Sequence, residues 1–204
     1  MAIRWLGFLW VAVLVLAVSC GGDDDVTPAT PAGSPVGQPT PVLPVTPEPT
    51  PIITGNQFEA PTKGYKVLIP EGWVARPNFF PTATSTTDVF FGPEEADSEV
   101  RTNIGVTCEQ TEEGTSFEQY VAEKRELLAA VTGRTPETQS TQVSGREAAV
   151  MAYSLEREPP VDKIDAVFAG DRCVWTVALT VTSGQVEALS PLFDEFLGSF
   201  QLLP

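Results

Sequence analysis

Nine prolines fall within the thirty residues from Val26 to Gly55, at positions 28, 31, 35, 39, 41, 44, 47, 49 and 51. A proline every two to four residues removes amide donors and fixes φ, so neither helix nor sheet is expected there. Six threonines fill much of the remainder. Such a stretch prefers extended polyproline II at roughly 3.1 Å per residue, so thirty residues reach up to about 90 Å. No basic residues flank its prolines, which argues against a ligand for SH3-like modules. We read it as a stalk, with a Thr/Pro composition that suits O-linked sugar. It divides the chain into a short leader and a long tail, and only the tail can build a core.

The leader, residues 1–20, reads MAIRWLGFLWVAVLVLAVSC. Arg4 and the α-amine form a short basic start, and Trp5 to Val18 is an apolar run of 14 residues. A membrane span needs roughly 20 such residues, so the run suits the core of an export signal. Leu16-Ala17-Val18-Ser19-Cys20 resembles the lipobox of bacterial lipoproteins: apolar, apolar, small, then Cys. The resemblance implies diacylglycerol on the Cys20 thiol, cleavage before Cys20 and usually a third acyl chain on the new amine. Two or three chains hold a protein stably where one does not. The expected organisation is a signal peptide over 1–19, the anchor Cys20 and stalk over 20–55, and a folded domain over 56–204. Gly21 to Asp25 reads as the soluble start of the tether. The expected location is the outer face of the cytoplasmic membrane, or a membrane facing the periplasm.

Charge and composition exclude several functions. Twelve Lys+Arg stand against 27 Asp+Glu, a net of −15. Phosphate contacts need a basic surplus, so nucleic acid is not an expected partner. The same surplus of acid argues against docking on anionic lipid by charge. The chain contains no His. A Ser-His-Asp triad, a Cys-His dyad and a His-ligated metal are therefore impossible. No G-x-G-x-x-G, Walker or S-x-x-K pattern occurs, and no cofactor or metal is expected.

The 149 residues from 56 to 204 suffice for a core. Tyr65, Val67 and Ile69 alternate as in a strand, and Pro70-Glu71-Gly72 turns the chain. Trp73-Val74-Ala75, Asp88 to Gly92 and Arg101 to Cys108 read as further strands. Thr115 and Glu118 form a T-x-x-E capping box for a helix that Gly133 ends. Strands are then expected over Thr138–Val143, Arg146–Leu155, Asp162–Ala169 and Arg172–Thr182, with hairpins at Ser144-Gly145 and Gly170-Asp171. The last helix is expected from about Gly184 to Leu197, with Pro191 kinking it or opening a second helix capped by Ser190. Cys173, Trp175, Val177 and Leu179 point one way from their strand, Val174 and Ala178 the other. A sheet apolar on both faces must be covered on both. The expected fold is α+β: an α/β/α sandwich on a central antiparallel sheet, preceded by a disordered Pro/Thr-rich linker.

The opening G-Y-K-V-L-I-P-E-G-W (64–73), the central helix, the long hairpins and the closing F-L-G-S-F-Q-L (196–202) resemble a known superfamily. It contains the photosystem II extrinsic subunit PsbP and bacterial DcrB- and LpqN-type lipoproteins. The resemblance spans roughly residues 58–203 and implies an α/β/α sandwich in a non-catalytic accessory or binding subunit. The photosystem member supports a manganese-calcium centre through residues that include His; without His, this chain inherits no such site.

The site candidates are few. Cys108 and Cys173 sit on apolar strand faces, where an exported compartment permits a disulfide; two separate buried thiols are the alternative. Trp73, Phe79 and Phe80 lie at or near the Pro-rich turn Arg76 to Pro81, as an aromatic lip for a partner or apolar ligand, or as core under a loop. Glu94, Glu95, Asp97 and Glu99, like Glu109, Glu112 and Glu113, read as solvated acidic loops, since the D-x-D-x-D-G spacing of a calcium loop is absent. The leading expectation is a non-catalytic, membrane-anchored module that docks on an envelope protein or membrane complex. A structural envelope or cell-wall spacer and a carboxylate-based enzyme are the alternatives. Oligomeric state is open.

Overall fold

The computed structural model describes residues 51–81, 85–96 and 98–204. Cys20, the leader and most of the stalk lie outside them, as does Asp97. In chain order the elements are β1 (Ile52–Thr54), β2 (Gln57–Ala60), β3 (Tyr65–Leu68), β4 (Val74–Pro81), β5 (Thr86–Phe91), β6 (Asn103–Glu109) and α1 (Phe117–Thr132). Then follow β7 (Thr138–Val143), β8 (Arg146–Leu155), β9 (Val161–Ala169), β10 (Val174–Thr182), α2 (Val186–Ser199) and β11 (Gln201–Leu202). They form a seven-stranded sheet, β4-β5-β6-β10-β9-β8-β7, and a four-stranded sheet, β1-β2-β3-β11. Every pairing is antiparallel.

The large sheet is covered on both faces, because β9 and β10 alternate two apolar sets. Ile164, Ala166, Phe168, Trp175, Val177 and Leu179 join the main core with Phe193, Phe196 and Phe200 from the α2 end of the chain. Phe58, Tyr65 and Val67 of the small sheet close that core. Tyr65 is its hub, stacked on Phe200 at 5.0 Å and edge-on to Trp175 at 5.2 Å. On the opposite face Met151, Val167 and Val174 pack under Leu128 of α1. The two helices thus cover opposite faces, as the α+β sandwich requires, and the small sheet joins α2 on one side.

Some boundaries differ from expectation. β1 lies within the stretch read as stalk; it avoids the proline restriction because Ile52, Ile53 and Thr54 follow the last proline of the run. The turn expected over Arg76 to Pro81 is strand instead. A bulge between Arg76 and Phe80, with Asn78 at φ 51°, absorbs the irregularity that Pro77 introduces. The cap of α1 is Ser116, not Thr115: its hydroxyl accepts from the Gln119 amide at 3.2 Å. α2 runs through Pro191 as one element rather than restarting at Ser190. Proline removes one intrahelical donor there, and burial of Phe193, Phe196 and Leu197 outweighs that loss. Ser144 and Gly145, at φ 52° and 73°, make the two-residue turn of the β7–β8 hairpin. Between β9 and β10 the chain passes so close to Trp175 that a Cβ on Gly170 would lie 2.5 Å from the indole nitrogen.

Asp162 secures the turn into α2. It accepts from Ser154 Oγ at 2.6 Å, Gly184 N at 2.7 Å and Ser183 Oγ at 3.3 Å. Partial burial pushes its carboxyl up, but these three donors outweigh burial and hold it below the ordinary value. A depressed folded pKa stabilises above the unfolded pKa of about 3.9 and is lost as pH falls through the folded value. The urea midpoints of wild type and Asp162→Asn should therefore differ at pH 7 and converge as pH falls below about 4. A constant gap across that range would contradict this role.

Candidate binding groove on the half-covered sheet face

A helix is about 10 Å across and strands lie about 4.8 Å apart, so a single helix covers roughly two strands. α1 lies over β8 and β9. Among the described residues no second layer covers the same face of β10, β6 and β5, where Gly105, Thr107, Thr176 and Ala178 are half-buried. Register aligns three rows across the strands. Thr87, Thr107 and Thr176 form one, ending at Val167. Val89, Gly105, Ala178 and Asp165 form the next, and Phe91, Asn103, Thr180 and Lys163 the third. The middle row is low because Gly105 and Ala178 carry almost no side chain. The result is a groove of about 710 Å³ beside α1.

Its polar groups converge at one end. Asp165 is 3% exposed. Its Oδ2 accepts from Lys124 Nζ of α1 at 3.0 Å and from the Tyr153 hydroxyl at 3.2 Å. Its Oδ1 is buried without a hydrogen-bond partner. A buried acceptor left open is costly, so this oxygen favours any donor that enters. Lys124 also reaches Thr176 Oγ1 at 3.4 Å, and the Thr87 and Thr107 hydroxyls meet at 2.8 Å. Tyr120 donates to Glu109 at 2.7 Å. Burial first, then the adjacent carboxylate, raises the Tyr153 and Tyr120 hydroxyls well above their ordinary value. Both phenols therefore stay protonated donors at neutral pH. Lys163 lies over the Tyr153 ring, 5.9 Å from its centre.

The rim is apolar. Phe80, 58% exposed, stands on the β4 side and Leu127, 64% exposed, on the α1 side. Phe79 packs edge-on against Phe80 at 4.6 Å and Phe91 at 5.2 Å, with Arg101 over the Phe91 ring. Two of the three aromatics expected to form a lip thus sit together, and Phe80 lines the groove. Trp73 does not join them: it packs against the main core on the other face of the sheet. Adjacency in sequence suggested one patch, but the strand alternates and bulges between Trp73 and Phe80.

Cys108 and Cys173 are joined by a disulfide, with Cα atoms 5.6 Å apart, where β6 and β10 run side by side. Of the acidic loops, Glu94 pairs with Arg101 at 3.0 Å in an exposed bridge and Glu109 holds Tyr120. Among the described residues no three Cys, Asp or Glu side chains gather closely enough to hold a metal ion. Asp165, Lys124, Tyr153 and Tyr120 were not singled out in the sequence. The available clue was Lys163 and Asp165, charges alternating with Ile164 and Ala166 in a strand whose remaining residues, Asp162 apart, are apolar.

No protein-family model matches the sequence, and no curated protein matches it. Solved structures are similar in fold. Cyanobacterial PsbP from Synechocystis sp. PCC 6803 superposes with a TM-score of 0.53 at 15% identity, covering 72% of this chain and 91% of that one. A Bacteroides thetaiotaomicron protein gives 0.50 at 12% identity, over 74% of this chain and half of the other. LpqN of Mycobacterium tuberculosis, described as involved in cell envelope biogenesis, gives 0.45 at 13% identity over 76% and 90% of the two chains. That last likeness is too loose to argue from. At such identities the similarity extends to the fold and no further: the domain shares the fold of that cyanobacterial PsbP.

Proposed function

We propose that this chain is an exported, membrane-anchored protein whose domain binds an envelope partner and performs no chemistry of its own. The observation that carries the reading is the groove on the half-covered sheet face. It joins an apolar rim, a floor of hydroxyls and one buried acceptor, which is the make-up of a recognition surface. Its titratable groups support binding over catalysis, because Asp165 is committed to Lys124 and both phenols are held protonated. The Cys108–Cys173 disulfide supports an oxidising compartment, outside the cytoplasm. The leader ending at Cys20 supports a lipid anchor there. The partner that suits the groove is a protein loop whose apolar side chains meet Phe80 and Leu127. A donor of that loop would answer Asp165 Oδ1.

Two measurements on the full chain test this. Cys20→Ser should move the protein from the membrane pellet to the soluble fraction; retention in the pellet would contradict the anchor. Affinity capture of the membrane-extracted wild type should recover a protein in near-stoichiometric amount. Recovery of the chain alone would contradict the binding role.

A further inference from the structure

Successive residues of a strand point to opposite faces, so Phe79 and Phe80 of β4 are expected on opposite sides of the large sheet. Their rings instead meet edge-on at 4.6 Å, and Phe79 also meets Phe91 at 5.2 Å. Phe91 belongs to a row of the groove face, as does Thr87, which lies opposite Phe80. Both rings are therefore gathered on the groove side. Register shows where the alternation breaks. Arg76 lies opposite Val89 and Phe80 opposite Thr87, so four steps along β4 are matched with two along β5. Asn78 stands in the middle of this surplus, with a φ of 51° in the left-handed region.

The bulge is pinned from the core side. The Asn78 N–H donates to Asp88 Oδ1 at 2.8 Å. Asp88 is buried, and it faces the core, because it also accepts from the Tyr65 hydroxyl at 2.7 Å. The Asn78 amide is thus held toward one face of the sheet while the two rings that follow stand on the other. A bulge that served only to keep a foreign strand off the edge would need neither the inward bond nor the paired rings.

We infer that Asn78 is the positioning residue of the groove's apolar rim: its left-handed backbone, tied to Asp88, turns Phe79 and Phe80 onto one face. This role rests on the groove being the binding surface. Asparagine enters the left-handed region more readily than most residues with a side chain, and glycine enters it freely. A β-branched residue does so only under strain. The gain for recognition is area. Phe79 and Phe80 are 45% and 58% exposed, so a partner's apolar side chain meets two free rings where a regular strand would offer one.

Asn78→Gly and Asn78→Val in the full chain test this, because both remove the Asn side chain and only Gly keeps the conformation. With selectively labelled Phe, the nuclear Overhauser effect between the Phe79 and Phe91 rings reads the placement of Phe79 in the detergent-extracted protein. It is expected in wild type and Asn78→Gly and lost in Asn78→Val. Recovery of the protein that co-purifies with wild type should stay within about twofold for Asn78→Gly and fall about tenfold or more for Asn78→Val. Capture is carried out well below each variant's unfolding temperature, where destabilisation alone does not lower recovery. An unchanged ring contact in Asn78→Val would overturn the inference. So would undiminished recovery by Asn78→Val after the contact is lost. A loss of recovery in Asn78→Gly would put the effect in the side chain and overturn it too. These three outcomes leave the groove standing. Absence of any co-purifying protein with wild type would overturn the groove as a binding surface, and this role with it.

Discussion

Asp88→Ala should destabilise the domain by about 3–5 kcal/mol, because it breaks a buried ion pair and leaves the opposite charge behind. Asp88 is 1% exposed on β5 and faces the small sheet. Its Oδ1 accepts from Lys63 Nζ, in the turn between β2 and β3, and from the Asn78 amide at 2.8 Å. Its Oδ2 accepts from the Tyr65 hydroxyl at 2.7 Å. One carboxylate thus ties together the two sheets and the β4 bulge. Burial first, then the Asp88 charge, raises the Tyr65 hydroxyl far above its ordinary value, so it remains a donor that needs an acceptor. Alanine leaves the largely buried ammonium and the fully buried phenol without their partner. Asp88→Asn keeps the shape and one acceptor and should lose less. Denaturant unfolding of both variants gives the comparison. An Asp88→Ala loss under 1 kcal/mol would show that water reaches the pair, giving it the small value of a surface bridge.

Loss of the Cys108–Cys173 bond should be of similar size. The disulfide spans 65 residues. Closing a loop of that length in the unfolded chain is worth about 4 kcal/mol by the chain-entropy relation. The loop encloses α1, β7, β8 and β9, so reduction frees the unfolded state while most native packing persists. Cys108→Ser with Cys173→Ser should lower the denaturant midpoint accordingly, and reduction of wild type should give nearly the same shift. A much larger effect of the double substitution than of reduction would place the loss in packing rather than in the cross-link.

The long strands and both helices were legible because their apolar residues repeat over many positions. β9 and β10 showed two apolar faces, and from these the two-sided covering followed. β11 was missed because two residues are too few to display a period, and β2 because Phe58 is its single large apolar residue. β1 was hidden behind the proline run, and the cap of α1 was displaced by one position because Thr115 and Ser116 both suit the role. The groove was not legible for a different reason. Gly105, Ala178 and Asp165 come from three strands, and only register sets them in one row. Nothing in the sequence shows that a lysine on α1 meets an aspartate on β9. Phe80 was noticed for its type, whereas its separation from Trp73 depends on strand alternation and a bulge.

The central claim is that the half-covered face receives a partner, and filling it tests that most directly. Ala178→Leu places a branched side chain in the low middle row while leaving the main core and Asp88 untouched. Wild type and Ala178→Leu, extracted from membranes and captured in parallel, are compared by quantitative mass spectrometry of the co-purifying protein. The account predicts at least a tenfold fall in partner recovery, about 1.4 kcal/mol or more of lost affinity, with an unchanged unfolding midpoint. Equal recovery of the same partner by both proteins would contradict it, and would place binding elsewhere on the molecule.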